Sequence, residues 1–210
     1  MQQRRPGNVQ AGLALRAPCA IFAGMNFNRY IPESEFSELA DFIRREGAVR
    51  HLTRGERLSA QGFRIHRCGL VVRGAFRYVH AAAAGEGHVV GYAFAGEFVG
   101  DYISMCNGTP SQVTIEAMCD AETLLVPGER LEAFYRTDAA RERLGRTFAQ
   151  HMLAEVYERL LDRCAASPQQ RYEALLERCP DLLQLVPLRE LASYLGVRPE
   201  TLSRIRRRIL

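Results

Sequence analysis

The stretch L-R-E-L-A-S-Y-L-G-V-R-P-E-T-L-S-R-I-R-R-R-I-L, Leu188 to Leu210, decides how this chain is read. Leu188, Leu191, Ala192 and Leu195 recur at helical spacing and form the inner face of a short helix. Gly196 can take the left-handed conformation that ends a helix, and Val197 turns inward as an apolar plug. Pro199 suits the first turn of a second helix whose inner face is Leu202, Ile205 and Ile209. Ala192 is small where the two helices must cross. Helix, Gly-centred turn, helix is the layout of a helix-turn-helix. The outside of the second helix, with Arg198 just ahead of it, offers Glu200, Thr201, Ser203, Arg204, Arg207 and Arg208. Such side chains can read base edges and neutralise phosphates.

Charge supports this reading. All 28 basic residues are Arg and the formal net charge is +4. Between Gly196 and Leu210 five Arg face one acid, Glu200, so this stretch alone carries the net charge of the whole chain. A basic patch on one short element is the footprint of a polyanion partner.

Upstream, helical periodicity runs from about Ala139 to Ala165, with Leu144, Phe148, Met152, Val156 and Leu160 in one stripe and Leu153 and Leu161 beside it. About 25 residues at 1.5 Å each make a helix of about 38 Å. Pairing with the same helix of a second copy is the economical way to cover such a stripe; the alternative is that it lies wholly on its own domain. Ser167 and Pro168 begin a further helix with Tyr172, Leu175 and Leu176 on its core face, and Pro180 and Pro187 bracket a connection over 181–186.

From Val49 to about Pro127 the texture is different. Gly recurs at 55, 62, 69, 74, 85, 87, 91, 96, 100 and 108 between short apolar runs. Leu70–Val72, Phe76–Val79, Val89–Phe94, Val113–Ile115 and Thr123–Val126 read as strands, with Ala81–Gly87 a hairpin tip. Many short strands with Gly turns indicate a sandwich, roll or small barrel. Ahead of them Pro32 to Arg45 reads as a helix with Phe36, Leu39, Ala40 and Ile43 on one face, ended by Gly47. The first residues read as a loose tail, or as lying upstream of a natural start at Met25; Arg16 and Pro18 interrupt the apolar run a signal peptide would need.

Several classes drop out. Apolar content of 47% with 25% charged residues excludes wholesale disorder. No run reaches the roughly 18 apolar residues of a membrane span. The six Cys are scattered, with no C-x-x-C pair, no zinc-finger grouping with His and no cluster spacing for iron–sulfur, as in a cytoplasmic protein with reduced thiols. His51, His66, His80, His88 and His151 show no metal-site grouping, although His80 and His88 flank the hairpin. No cofactor, metal or catalytic residue is implied.

The C-terminal E-L-A-S-Y-L-G-V-x-P-E-T-L-S-R, together with V-R-G-A-F-R-Y (Val72–Tyr78) and G-E-F-V-G-D (Gly96–Asp101), resembles the Crp/Fnr family of bacterial transcription regulators from Pro32 to Leu210. That resemblance implies a homodimer joined along the long helix, an inverted-repeat DNA site and an action on RNA polymerase. The E-x-x-S-R of Glu200–Arg204 is similar to the family branch that reads TTGAT-type half-sites. It also implies an effector pocket at Gly100, Asp101, Tyr102, Ser111 and Gln112. Here the pattern departs: cyclic-nucleotide binders carry Arg-Ser where this chain has Ser111-Gln112, and no Arg lies between Arg77 and Arg130. A buried phosphate without a cation loses charge-assisted bonds of about 1.5–3 kcal/mol each, which argues against cyclic AMP. The N-terminal cysteine cluster of the oxygen-sensing branch is also missing.

The expectation is therefore an α+β chain: a loose tail over 1–28, a double-stranded β-helix (cupin-like β-roll) effector domain over 29–137, a dimerisation helix over 138–165 and a winged-helix-like helix-turn-helix domain over 166–210. The expected function is sequence-specific DNA binding under an unknown small-molecule effector or none. The alternatives are a cupin-type enzyme, which would need a His–carboxylate cluster the sequence lacks, and a β-roll interaction module without DNA binding, against which the Arg-rich outer face argues. The sequence ends directly after the second helix, so no wing is expected to share the reading.

Overall fold

The Gly-punctuated stretch folds as two facing antiparallel sheets. The computed structural model describes residues 27–64, 66–82, 85–180, 182 and 186–209. Its strands are β1 Ala48–Leu52, β2 Arg57–Ser59, β3 Arg67–Arg73, β4 Ala75–Ala81, β5 Gly87–Phe94, β6 Phe98–Gly100, β7 Thr114–Ala117 and β8 Ala121–Pro127. One sheet has the order β1-β8-β3-β6 and the other β2-β7-β4-β5. Alternation within strands turns Ile115, Ala117, Ala121 and Leu125 inward, where they meet Leu52, Leu58, Val71, Phe76, Ala93 and Val99 between the sheets. This is the expected roll. His80 and His88 do face each other across the β4–β5 hairpin, but the His80 ring bonds the Gln112 carbonyl at 2.8 Å. Among the described residues no group of three His, Cys, Asp or Glu could hold a metal.

Seven helices occur among the described residues. α1 covers Ser37–Glu46 rather than starting at Pro32; residues 32–36 form turns in which the Phe36 N–H reaches the carbonyls of Pro32 and Glu33. α2 (Tyr102–Asn107) and α3 (Gly128–Tyr135) are short and were not foreseen. α4 spans Ala139–Ala165, 27 residues, with Asp138 accepting from the N–H groups of Ala140 and Arg141. α5, Pro168–Arg178, begins with a full capping box between Ser167 and Gln170. α6 (Leu188–Leu195) and α7 (Pro199–Ile209) complete the chain. Of the 181–186 connection, only Leu182 and Val186 are described, and both are buried. No described helix is long and apolar enough to cross a membrane.

Two expectations need correction. The apolar stripe of α4 is divided: Phe148 is buried, with Leu144 and Met152 packed beside it, against α1, α3 and the roll. Leu153, Val156, Tyr157, Leu160 and Leu161 are exposed instead. The helix crosses the edge of its own domain, so only the first part of the stripe is covered by the roll, α1 and α3. The tail boundary expected at residue 28 is also too late. Residues 1–26 lie outside the described set, but Phe27 is fully buried against Tyr92, Phe94 and Tyr194, and Asn28 donates from its backbone N and Nδ2 to the Glu97 carboxylate at 2.9 Å each.

Candidate functional site

The C-terminal pair of helices has the geometry its residues predict. Gly196 ends α6 at φ 66°, and the Val197 N–H returns to the Ala192 carbonyl at 2.9 Å. The positive φ is what favours glycine there; a Cβ would meet the Arg163 guanidinium, the movable end of a long side chain. Leu191, Ala192, Leu195, Leu202 and Ile205 join one core with Tyr172 and Leu175. That core fixes the rotation of α7. Arg198, Glu200, Arg204, Arg207 and Arg208 are exposed, while Thr201, Ser203 and Arg206 are half-buried. Glu200, Ser203 and Arg204 share a face, as residues three and four apart do on a helix.

This domain rests on the roll. Arg77 on β4 bridges Glu116 on β7, at 2.6 Å, and Glu190 on α6. The Val89 N–H of β5 donates to the Ser193 hydroxyl at 3.0 Å. Phe27 sits between them with Arg178 over its ring at 4.8 Å.

The sequence-predicted pocket residues do come together, but as a closed hydrogen-bonded knot. Asp101 caps α2 by accepting from the Ser104 N–H at 3.2 Å, and it also accepts from the Ser111 hydroxyl at 2.7 Å and the Gln112 N–H at 3.0 Å. Its carboxylate is thus committed within the protein. Gly100 has φ 148°, and a Cβ there would lie 2.8 Å from that of Cys68.

A cavity of about 180 Å³ lies beside this knot, between the roll and α4. Of the five pocket residues expected, only Gly100 and Tyr102 line it; Asp101, Ser111 and Gln112 do not. The walls are chiefly apolar, including Ile31, Leu39, Ile43, Phe98, Leu131 and Phe148. Burial pushes the phenols of Tyr78, Tyr102 and Tyr135 up, so they remain neutral. Burial also raises the Cys68 thiol to about 12 and the Glu97 carboxyl to about 7.

Sequence inspection missed the most polar lining. Glu155, 4% exposed, and Arg159 come from α4 and form an ion pair. Arg159 also donates to the Val90 carbonyl at 3.2 Å and stands over the rings of Phe27 and Tyr194 at 5.2 and 5.7 Å. A cation does therefore reach the cavity, from α4 rather than from the stretch around Ser111 and Gln112, but Glu155 already neutralises it. Their i,i+4 spacing was the one available signal.

A family model for the cyclic nucleotide-binding domain matches residues 49–138. No curated protein matches the chain. Solved structures do. FixK2 from Bradyrhizobium japonicum superposes with a TM-score of 0.64 at 20% identity, covering 78% of this chain and 84% of that one. CLP of Xanthomonas campestris, described as a c-di-GMP-responsive global regulator, gives 0.61 at 16% identity over 83% and 91%. The catabolite activator protein of Thermus thermophilus gives 0.52 at 21% identity over 90% and 85%. At these identities the likeness is one of fold. Residues 49–138 thus match the cyclic nucleotide-binding domain model, and the chain shares its fold with these solved regulators.

Proposed function

We propose that this chain is a sequence-specific transcription regulator of the Crp/Fnr type. In this reading it is cytoplasmic and non-enzymatic, binds an inverted DNA repeat as a homodimer, and recruits or blocks RNA polymerase. The observation that carries the proposal is the outer face of α7, where Glu200, Arg204, Arg207 and Arg208 stand in solvent on a helix locked by the Gly196 turn. Arg204 grips guanine O6 and N7, and Glu200 accepts from cytosine N4, each pairing worth about 1–3 kcal/mol of discrimination. Arg198, Arg207 and Arg208 hold phosphates, Ser203 supports the reading face and Thr201 the helix start. The two copies pair along the exposed part of α4, with half-sites one helical turn apart.

The roll is the effector domain, and its effector is a small, mainly apolar molecule other than cyclic AMP. Asp101 is occupied by three donors and Arg159 by Glu155, so neither is free for a ribose hydroxyl or a cyclic phosphate.

Selection from random DNA tests the proposal. It should return an inverted repeat. Arg204→Ala should relax preference at the G·C position, whereas Arg207→Ala should weaken all sequences alike and lower the salt slope by about one per subunit. A selection without an inverted repeat, or an Arg204→Ala variant with its base preference intact, would overturn it.

A further inference from the structure

A second cleft, of about 250 Å³, lies where α4, α5, α6 and β5 meet, and neither the DNA-reading face nor the roll cavity uses it. Five arginines line it: Arg29, Arg159, Arg163, Arg171 and Arg178. Two of them are neutralised, Arg29 by Glu158 and Arg159 by Glu155. The other three have no carboxylate within ion-pair distance among the described residues, although Asp162 also lines the cleft. Arg171 gives one donor to the Ala166 carbonyl at 2.8 Å, and Arg178 gives one to the Tyr194 hydroxyl at 3.1 Å. The Nε–H groups of both are buried without an acceptor. Arg163 reaches from α4 to the Gly196 turn, where a built Cβ would fall on its guanidinium.

Like charges gathered in a recess repel one another, and a bound anion relieves that repulsion. Guanidinium forks match phosphate oxygens in pairs, and three forks from two helices exceed what one phosphate requires. Val89, Leu175, Leu195 and the Tyr194 ring form an apolar wall beside them. We propose that this cleft binds a compact organic polyphosphate, its phosphates on Arg163, Arg171 and Arg178 and its organic part against that wall. Because Arg163 belongs to α4 and the other two to α5, an occupied cleft ties the helix-turn-helix domain to the long helix. That consequence rests on the DNA-binding proposal; the binding itself does not.

The test is calorimetry on the full chain at physiological ionic strength, with ADP, inorganic pyrophosphate, AMP and sulfate as probes and no DNA present. ADP should bind more tightly than AMP, pyrophosphate should compete with it, and sulfate should compete weakly. Arg163→Gln should cost about tenfold in ADP affinity and Arg163→Gln with Arg171→Gln about a hundredfold. Arg207→Ala should leave it unchanged. Unaltered melting temperatures of the variants would exclude misfolding. The proposal is overturned if no probe binds at about 1 mM, or if the double variant binds ADP as wild type does. It is equally overturned if these variants lose affinity for all DNA sequences, with a shallower salt slope, while no probe binds; the arginines would then be DNA-phosphate contacts. Since the titrations contain no DNA, failure of the reading-helix proposal would leave them intact.

Discussion

Replacing Leu153 and Leu160 together by glutamate should convert a DNA-binding dimer into folded monomers. Leu153, Val156, Tyr157, Leu160 and Leu161 are 67, 55, 58, 54 and 48% exposed, an apolar seam at the three- and four-residue spacing of a helix pair. Fully burying a leucine contributes about 1.5–3 kcal/mol, and roughly half of each side chain is already covered, which leaves about 1 kcal/mol per side chain for association. Two positions in two copies therefore remove about 4 kcal/mol, or about a thousandfold in Kd, before repulsion among four carboxylates is added. The monomer should hardly notice, because both positions face water and surface changes usually stay within about 0.5 kcal/mol. Sedimentation velocity over a concentration series reads the Kd, thermal unfolding checks the fold, and titration with whole and half operators reads the consequence for DNA. Whole-operator affinity should fall to that of a half-site. A wild-type chain that sediments as a monomer at tens of micromolar (about the range where such seams associate), or a variant whose dimer Kd is unchanged, would refute the seam.

Three further outcomes follow from the geometry. Phe148→Ala should destabilise the chain by about 3–5 kcal/mol in denaturant unfolding, because Phe148 fills the core between Phe36, Phe98 and Tyr102 and belongs to no dimer surface. A loss under 1 kcal/mol (about the cost of a surface change) would contradict that placement. Asp101→Ala should cost about 1–2 kcal/mol, from a lost helix cap and a lost acceptor for the Gln112 N–H, while the Ser111 hydroxyl keeps the Val113 carbonyl at 2.8 Å, and it should create no cyclic AMP affinity; calorimetry and unfolding read both. Glu97 has its carboxyl raised to about 7 by burial, so the folded state holds a proton that the unfolded state releases at its ordinary value. Its contribution to stability is therefore fully present in acid and falls as pH rises toward about 7, then levels off. Glu97→Gln should flatten unfolding free energy over that window; an unchanged slope would show that another group titrates there.

What the sequence made legible was local. The helix-turn-helix rests on one left-handed glycine and apolar positions within a few turns, and these sit where their spacing demands except Ile209, expected on the inner face but exposed in the last turn of α7. The roll was legible as a class because Gly punctuation and β-branched runs survive in a single sequence. Strands β2 and β6, three residues each, were not, since so short a run shows no alternation. α1 began later than Pro32 because an acidic first turn after proline also fits a string of turns. The α4 stripe misled for a different reason. Leu144, Phe148 and Met152 lie on one face and Leu153, Val156 and Leu160 run on toward another, and periodicity alone cannot tell where the roll stops covering the helix. Arg159 was not legible because the motif that implies the pocket ends at Gln112, whereas the chain supplies the cation from a distant helix.

The division of α4 into two faces is the most economical feature of the molecule. α4 covers the roll cavity with Phe148, Met152 and Glu155, and exposes a seam on its other side. Arg159 then joins the two ends of the structure: Glu155 in the cavity, the Val90 carbonyl on β5, and the Phe27 and Tyr194 rings that carry the helix-turn-helix domain. A buried ion pair is weak evidence of stability, because desolvation offsets most of its Coulomb gain. The Glu155 pair lies within α4, and the Arg159 bond to the Val90 carbonyl at 3.2 Å ties that helix to β5. In the proposed regulator, a cavity ligand that shifts Glu155 must shift Arg159, and with it the surface on which Tyr194 and α6 rest. The same contact borders the arginine cleft, so the two proposed ligands would act on one joint from opposite sides. Such coupling requires no long relay, because Arg159, beside Val90, lines both pockets.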